Sequence, residues 1–328
     1  MRGQHSTVQT LICLTVFVLC MSVSSGPKAA DIIIGVSNQN DVRYHVGRAV
    51  CRTITRAIRG TTCEPRRIAK GDAPGPLAVL SDVGNGALEL GIVTSDWVFH
   101  TFTGSGPAKF YDTKYDNLRV LFTLYGEAIS LIARRDSGIE SIDDLLGKRV
   151  NIANPGSYER MMMELIMAAK GWRRRDFSIA EELSVSEQAL ALCHNRIQAM
   201  IISGSHPNKN IAKILRVCNS RLVSMKGAEI SKLIADNPYF YEMGINQGMY
   251  ADQNSVKLFG LRVLAVSSED IEKDLVGSIV GAVVDNSPGL SRLHPSLRDV
   301  SPESLMGKES VVPFHDGALE YFRNRGMM

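Results

Sequence analysis

Three things are scarce in this 328-residue chain: net charge, enzyme motifs, and long apolar runs beyond its first 30 residues. With 37 basic against 34 acidic residues, the chain has no electrostatic reason to bind nucleic acid. There is no Walker loop, no H-E-x-x-H, no G-x-S-x-G and no clustered C-x-x-C. Gly104-Ser105-Gly106 lacks the third glycine of a dinucleotide loop, and no strand pattern directly precedes it. The seven histidines are scattered, so neither a metal nor another cofactor is expected. His206 and His315 each sit in a loop beside a small residue, where a hydrogen-bonding or structural role is the expected one. Low-complexity segments, heptad arrays and internal repeats are also missing.

The one apolar run, Thr10–Val23, follows Arg2 and precedes Ser24-Ser25-Gly26. It is short for a membrane span and reads as the apolar region of a secretory signal peptide, placed at residues 1–30. Removing it takes away Arg2 and Lys28, leaving 35 basic against 34 acidic residues. A soluble, exported, periplasmic chain is the expectation. Four cysteines then remain, Cys51, Cys63, Cys193 and Cys218, and an even count in an exported chain suggests disulfides. Three connectivities exist; local pairing, Cys51 with Cys63 and Cys193 with Cys218, is preferred because each pair closes a short loop.

One unit recurs: a short apolar run, then a small or polar loop, then a helical pattern. It appears at Ile32–Asn38, Leu88–Asp96, Arg149–Ser157 and Gln198–His206. Helical faces lie between, one through Val46, Val50, Ile54 and Ala57, another through Val185, Ala189, Leu192 and Cys193. Ser141 and Asp144 open a third helix in capping-box style, closed by Gly147. Strands alternating with helices indicate an α/β fold with parallel sheet. Leu118–Arg134 and Lys257–Val266 are long and strand-like, and are expected to cross between two lobes, one going out and one returning.

Ligands of open α/β sheets bind beyond the carboxyl ends of the strands. That rule gathers the loops 35–44, 94–97, 154–159 and 204–208. Their candidate ligand-binding residues are Asn38, Gln39, Tyr44, Ser95, Asp96, Asn154, Gly156, Ser157, Tyr158, Ser205 and His206, with Tyr250 as an aromatic wall. Asn154-Pro155-Gly156-Ser157 leads into a helical pattern, where free backbone N–H groups suit an anion and Asn154 or Ser157 equally suits a plain helix cap. Asp41 and Arg43 are expected to pair and wall the cleft. Asp96, Glu159 or His206 would supply acid–base groups if the chain were instead a secreted enzyme.

These segments, with "GRAVCRTI", "LELGIVTSDWVFHTFTGSGP", "DSGIESIDDLLGKRVNIANPGS", "ALCHNRIQAMIISGSHPN", "DNPYFYEMGINQGMY" and "PFHDGALEYFRNRG" in order, resemble the TAXI receptors, the extracytoplasmic solute-binding subunits of one class of TRAP transporters. The resemblance implies a type II periplasmic-binding-protein fold: two α/β lobes joined by crossover strands, with a ligand cleft between them. Lobe 1 would hold residues 31–130 and 246–328, and lobe 2 residues 131–245. It also implies the two local disulfides, a small carboxylate-bearing ligand, a monomer, a TRAP-type membrane permease as transient partner, and no catalysis. A related role presenting ligand to an envelope sensor is the alternative.

The departures from the family pattern cluster at the first loop. Ser37-Asn38-Gln39-Asn40-Asp41-Val42-Arg43 stands where the family has glycine and threonine. Tyr158 replaces a usual glycine, and Asn246-Gln247 a usual Pro-Gly. Side chains in place of glycines fill volume and add donors and acceptors. The expected solute is therefore smaller than the family's, differently hydrogen-bonded, or non-anionic.

Overall fold

The computed structural model describes residues 30–38, 41–70, 73–106, 114–251, 253–307 and 310–328. The expected signal peptide and Gln39 lie outside these, apart from Ala30. Among the described residues no helix is long and apolar enough to cross a membrane.

The chain runs β1 (Asp31–Val36), α1 (Val42–Ala57), β2 (Thr62–Arg67), α2 (Gly75–Gly84), β3 (Leu90–Thr94), α3 (Ser95–Thr103) and β4 (Leu118–Arg134). It continues β5 (Arg149–Asn151), α4 (Tyr158–Lys170), β6 (Ile179–Glu181), α5 (Val185–Cys193), β7 (Ala199–Gly204), α6 (Lys209–Val217), β8 (Ser220–Val223), α7 (Ala228–Asp236) and β9 (Phe240–Ile245). β10 (Val256–Ser268), α8 (Lys273–Asp285), α9 (Ser287–Leu290), α10 (Pro302–Met306) and α11 (Asp316–Asn324) close it.

All ten strands join one sheet, with order β2-β1-β3-β10-β4-β7-β5-β6, β8 pairing with β4 and β9 with β10. The crossovers β1–α1–β2 and β5–α4–β6 link parallel neighbours, as alternating strand and helix patterns require. The 17-residue β4 and 13-residue β10 run antiparallel along each other from Leu118 opposite Ser268 to Ile129 opposite Phe259. One end of β10 pairs with β3 and the other with β9. Both long strands therefore cross the molecule.

The hydrophobic cores divide at the same place. One cluster draws its buried residues from Ala128 to Leu261, including Leu131, Ile132, Met163, Ile201 and Phe259. The other two draw only on residues up to Tyr125 and from Val263 onward, on the two faces of the β1–β3 side. Within β4 the change falls between Tyr125 and Ala128, and within β10 between Leu261 and Val263. At this junction Gly260 leaves room for the Glu127 carbonyl, and Gly126 for the Tyr241 hydroxyl; a Cβ at either would collide. The architecture is a two-lobed α/β fold with a crossing ribbon.

Both local disulfides form, Cys51–Cys63 tying α1 to β2 and Cys193–Cys218 tying α5 to the end of α6. Two helical expectations shift. The Ser141–Asp144 capping box is present, but it opens only a single 3₁₀ turn, Ile142–Leu145, because Leu146 turns to extended backbone. On α5, Val185 is exposed, and Gln188 takes an inward position, its Oε1 accepting from the Asn151 side chain at 2.9 Å.

Candidate functional site

A cavity of about 730 Å³ lies where the two halves meet. Arg43, Pro74, Pro76, Thr94 and Trp97 line it from one side. Pro155, Gly156, Ser157, Tyr158, Arg160, Met161, Glu164 and Ser203 line it from the other, and Glu127 of the crossing strand forms its base. Its walls are the starts of α1 and α2, the ends of β3 and β7, and the loop after β5 with the start of α4, where open sheets hold ligands.

Arg43 reaches this place because Asp41 caps α1, accepting the Arg43 backbone N–H at 3.1 Å. Its guanidinium then spans two carboxylates, Asp41 Oδ2 at 2.5 Å and Glu127 Oε2 at 2.6 Å. Burial disfavours the Arg43 charge, yet Glu127 and Asp41 together raise its pKa. Burial also raises the Glu127 pKa; Arg43 opposes that shift, while Asp41 and Asp96 add to it. Tyr125 Oη lies 3.4 Å from Glu127 Oε1.

Asp96 sits in the first turn of α3, 4% exposed, and accepts from the Thr94 hydroxyl at 2.5 Å. Burial raises its pKa against the pull of Thr94, the Trp97 backbone N–H and Arg43. Its neighbour Ser95 serves as a fastener: the hydroxyl donates to the Tyr239 carbonyl at 2.7 Å and accepts from the Arg262 N–H at 3.1 Å.

Across the cavity, Ser157 caps α4, accepting from the Arg160 N–H at 3.1 Å, and its hydroxyl donates to the Asn154 carbonyl at 2.7 Å. The cap is real, and Gly156, Ser157 and Tyr158 line the cavity beside it. The Tyr158 hydroxyl oxygen is buried without a hydrogen-bond partner. Burial, then the nearby Asp96 and Glu127, raise its pKa well above the ordinary value. Ser203 donates to Glu159 Oε1 at 2.6 Å.

The remaining candidates lie elsewhere. His206 lines a second cavity, about 560 Å³, which includes Gly126 and Ala128, the chain neighbours of Glu127. Successive strand residues face opposite ways, so this space lies on the other face of the ribbon. The Asn208 N–H donates to Tyr250 Oη at 2.8 Å, which leaves the phenol proton for His206 Nδ1 at 2.6 Å. His206 Nε2 then donates to Ser130 Oγ at 2.9 Å. Burial pushes the His206 pKa down to about 4, so the imidazole is neutral. Ser205 and Ser296 share a 2.8 Å hydrogen bond between the halves. The Asn38 carbonyl accepts from Asp41 N–H at 3.4 Å, and Tyr44 packs on the β1–β3 side core. His315 caps α11 and bonds the Ile271 carbonyl, the structural role expected of it.

Glu127, Thr94, Trp97 and Ser203 line the cavity without being singled out in the sequence reading. Glu127 had a signal: it is the lone carboxylate within the mostly apolar Leu118–Arg134 run. Among the described residues no group of three or more histidines, cysteines and acids could hold a metal.

A model described as the NMT1-like family matches residues 34–326. A crystal structure of a TctC solute-binding protein from Polaromonas is similar at TM-score 0.55 and 14% identity, covering 82% of this chain and 86% of that one. A putative sulfonate ABC transporter periplasmic protein, SsuA from Methylobacillus flagellatus KT, is similar at TM-score 0.50 and 14% identity, covering 92% and 88%. At such identity the likeness speaks to the fold, that of two-lobed periplasmic binding proteins.

Proposed function

Because the chain belongs to the NMT1-like family, we propose that it is an extracytoplasmic receptor that captures a small polar solute between its lobes. The observation that carries this reading is the 730 Å³ cavity, lined from both halves and floored by the strand that joins them. A solute bound there would touch both lobes at once, so its binding free energy would favour the closed arrangement. The proposed lobes are residues 31–130 with 246–328, and 131–245; the core division inside β10 supports moving the second boundary nearer Arg262.

The finer reading follows the TAXI resemblance. The closed receptor would dock on a TRAP-type permease and release its cargo, acting as a periplasmic monomer exported by a cleaved signal peptide. The candidate ligand contacts closest to this reading are Gly156, Ser157 and Tyr158; Asn38, Gln39, Tyr44, Ser95, Asp96, Asn154, Ser205, His206 and Tyr250 would shape the lobes around them. Against catalysis, the three proposed acid–base groups are engaged separately: Asp96 by Thr94, Glu159 by Ser203, and His206 by Ser130 and Tyr250 on the other face.

Small-angle scattering with and without a mixed pool of small metabolites tests the reading. A receptor contracts on binding, and its radius of gyration falls; a curve unchanged by any pool overturns the proposal.

A further inference from the structure

Among the described residues, both cations that line the cavity, Arg43 and Arg160, are held by two carboxylates each, although the Arg43 Nε–H is buried without a partner. Arg43 bridges Asp41 and Glu127 on the inner wall, and Arg160 at the opposite wall bridges Glu164 and Glu182. Asp96 and Glu159, chain neighbours of the lining residues Trp97 and Tyr158, carry further carboxylates, each bonded to a neutral hydroxyl rather than to a cation. An incoming anion would have to share Arg43 with Asp41 and Glu127, both largely buried, or compete with Glu164 and Glu182 for Arg160. The start of α4 offers an anion little more, because Ser157 caps it and Glu159 already occupies its first turn.

A second observation points to a missing partner. Tyr158 lines the cavity, and its buried hydroxyl has no hydrogen-bond partner, although Asp96 and Glu127 are close enough to influence it. Such a group is costly to leave unpaired. A ligand N–H would satisfy its oxygen.

Resting on the receptor reading, we propose that the solute is a cation, a protonated amine or guanidine without net negative charge, and that Glu127 receives its charge while Tyr158 accepts one of its hydrogens. Burial raises the pKa values of Asp96 and Glu127 although Arg43 opposes it, so a further cation beside them would favour their charged forms. This places the ligand outside the carboxylate class that the family resemblance implies.

Calorimetric titration of the folded protein with 1,4-diaminobutane and 4-guanidinobutylamine, against succinate and L-glutamate, tests it. Saturable binding of a cation at least tenfold tighter than either anion, weakened about tenfold by Glu127→Gln, supports the assignment. Should Glu127→Gln fail to fold by circular dichroism, Asp96→Asn, which touches no cation, is expected to weaken the same probe. Tighter binding of succinate or glutamate overturns the cation assignment and leaves the receptor reading standing. If no probe of either sign binds, the assignment falls. The receptor reading falls with it only if mixed metabolites also leave the scattering curve unchanged.

Discussion

Arg43 is the residue on which the cleft's charge balance turns. Its two partners are themselves largely buried, so removing it leaves carboxylates without compensation. Arg43→Ala is expected to destabilise the protein by about 3–5 kcal/mol, read as a lower urea midpoint. Arg43→Lys keeps the charge but not the two-pronged geometry, and should fall between. His206 supplies a second prediction. The fold holds it neutral with a pKa near 4, whereas an unfolded chain protonates it near its usual 6.5. The unfolded state thus binds the proton first as pH falls. Stability is full above about pH 6.5 and declines toward pH 4, by on the order of 2 kcal/mol after discounting for partial exposure. A His206→Gln variant should show a flatter urea midpoint across that window. At this scale the sequence was partly readable. Asp41 and Arg43 lie two apart in a loop that opens a helix, which made their pairing visible. Their third partner, Glu127, is 84 residues away, and no local pattern announces a contact at that distance.

Among the elements, the long strands were the most legible, because a strand-like, mostly apolar stretch of 17 residues exceeds what one lobe's sheet needs. Short elements were less so: β6 has three residues, too few for periodicity to register, whereas the equally short β5 was read only because a loop and a helical pattern follow it in the Arg149–Ser157 unit. The Ser141 box looked like a helix start, and its local chemistry is indeed that of one, but the chain turned away after one turn. Burial of Gln188 instead of Val185 on α5 follows from a hydrogen bond to Asn151, which lies 37 residues earlier. The crossing ribbon yields a prediction of its own. In β10, Gly260 lies so close to the Glu127 carbonyl and Ala128 Cα that a methyl group there cannot be absorbed by side-chain movement alone. Gly260→Ala should cost at least about 3 kcal/mol in chemical denaturation. Gly289→Ala on α9, where nothing lies near the added carbon, serves as the silent control.

Taken as a whole, the molecule is two cores stitched by strands that belong to both. Neither core can lose β4 or β10 without exposing the other, so unfolding is expected to be a single transition. Tryptophan fluorescence, with Trp97 in one half and Trp172 in the other, and far-ultraviolet circular dichroism should give coincident denaturation curves; separated midpoints would refute the shared-strand coupling. Strand and helix order made the fold class readable at this scale, while the charge character of the cavity was not, since it comes from side chains brought together from α1, α4 and β4.

The ribbon also sets an order of events when the chain is first made. β1 to β3 emerge early, but β10, the neighbour that covers the edge of β3, does not exist until residues 256–268 have been produced. Helices α8 and α11, which fill the same core, come later still. The half built from the middle of the sequence also needs β10, but its core is complete once Leu261 has been made. The half that begins the chain must wait, its β3 edge bare, for the last quarter to arrive. A nascent chain arrested before Val256 would carry two unfinished cores and an open strand edge, the kind of surface that chaperones shield.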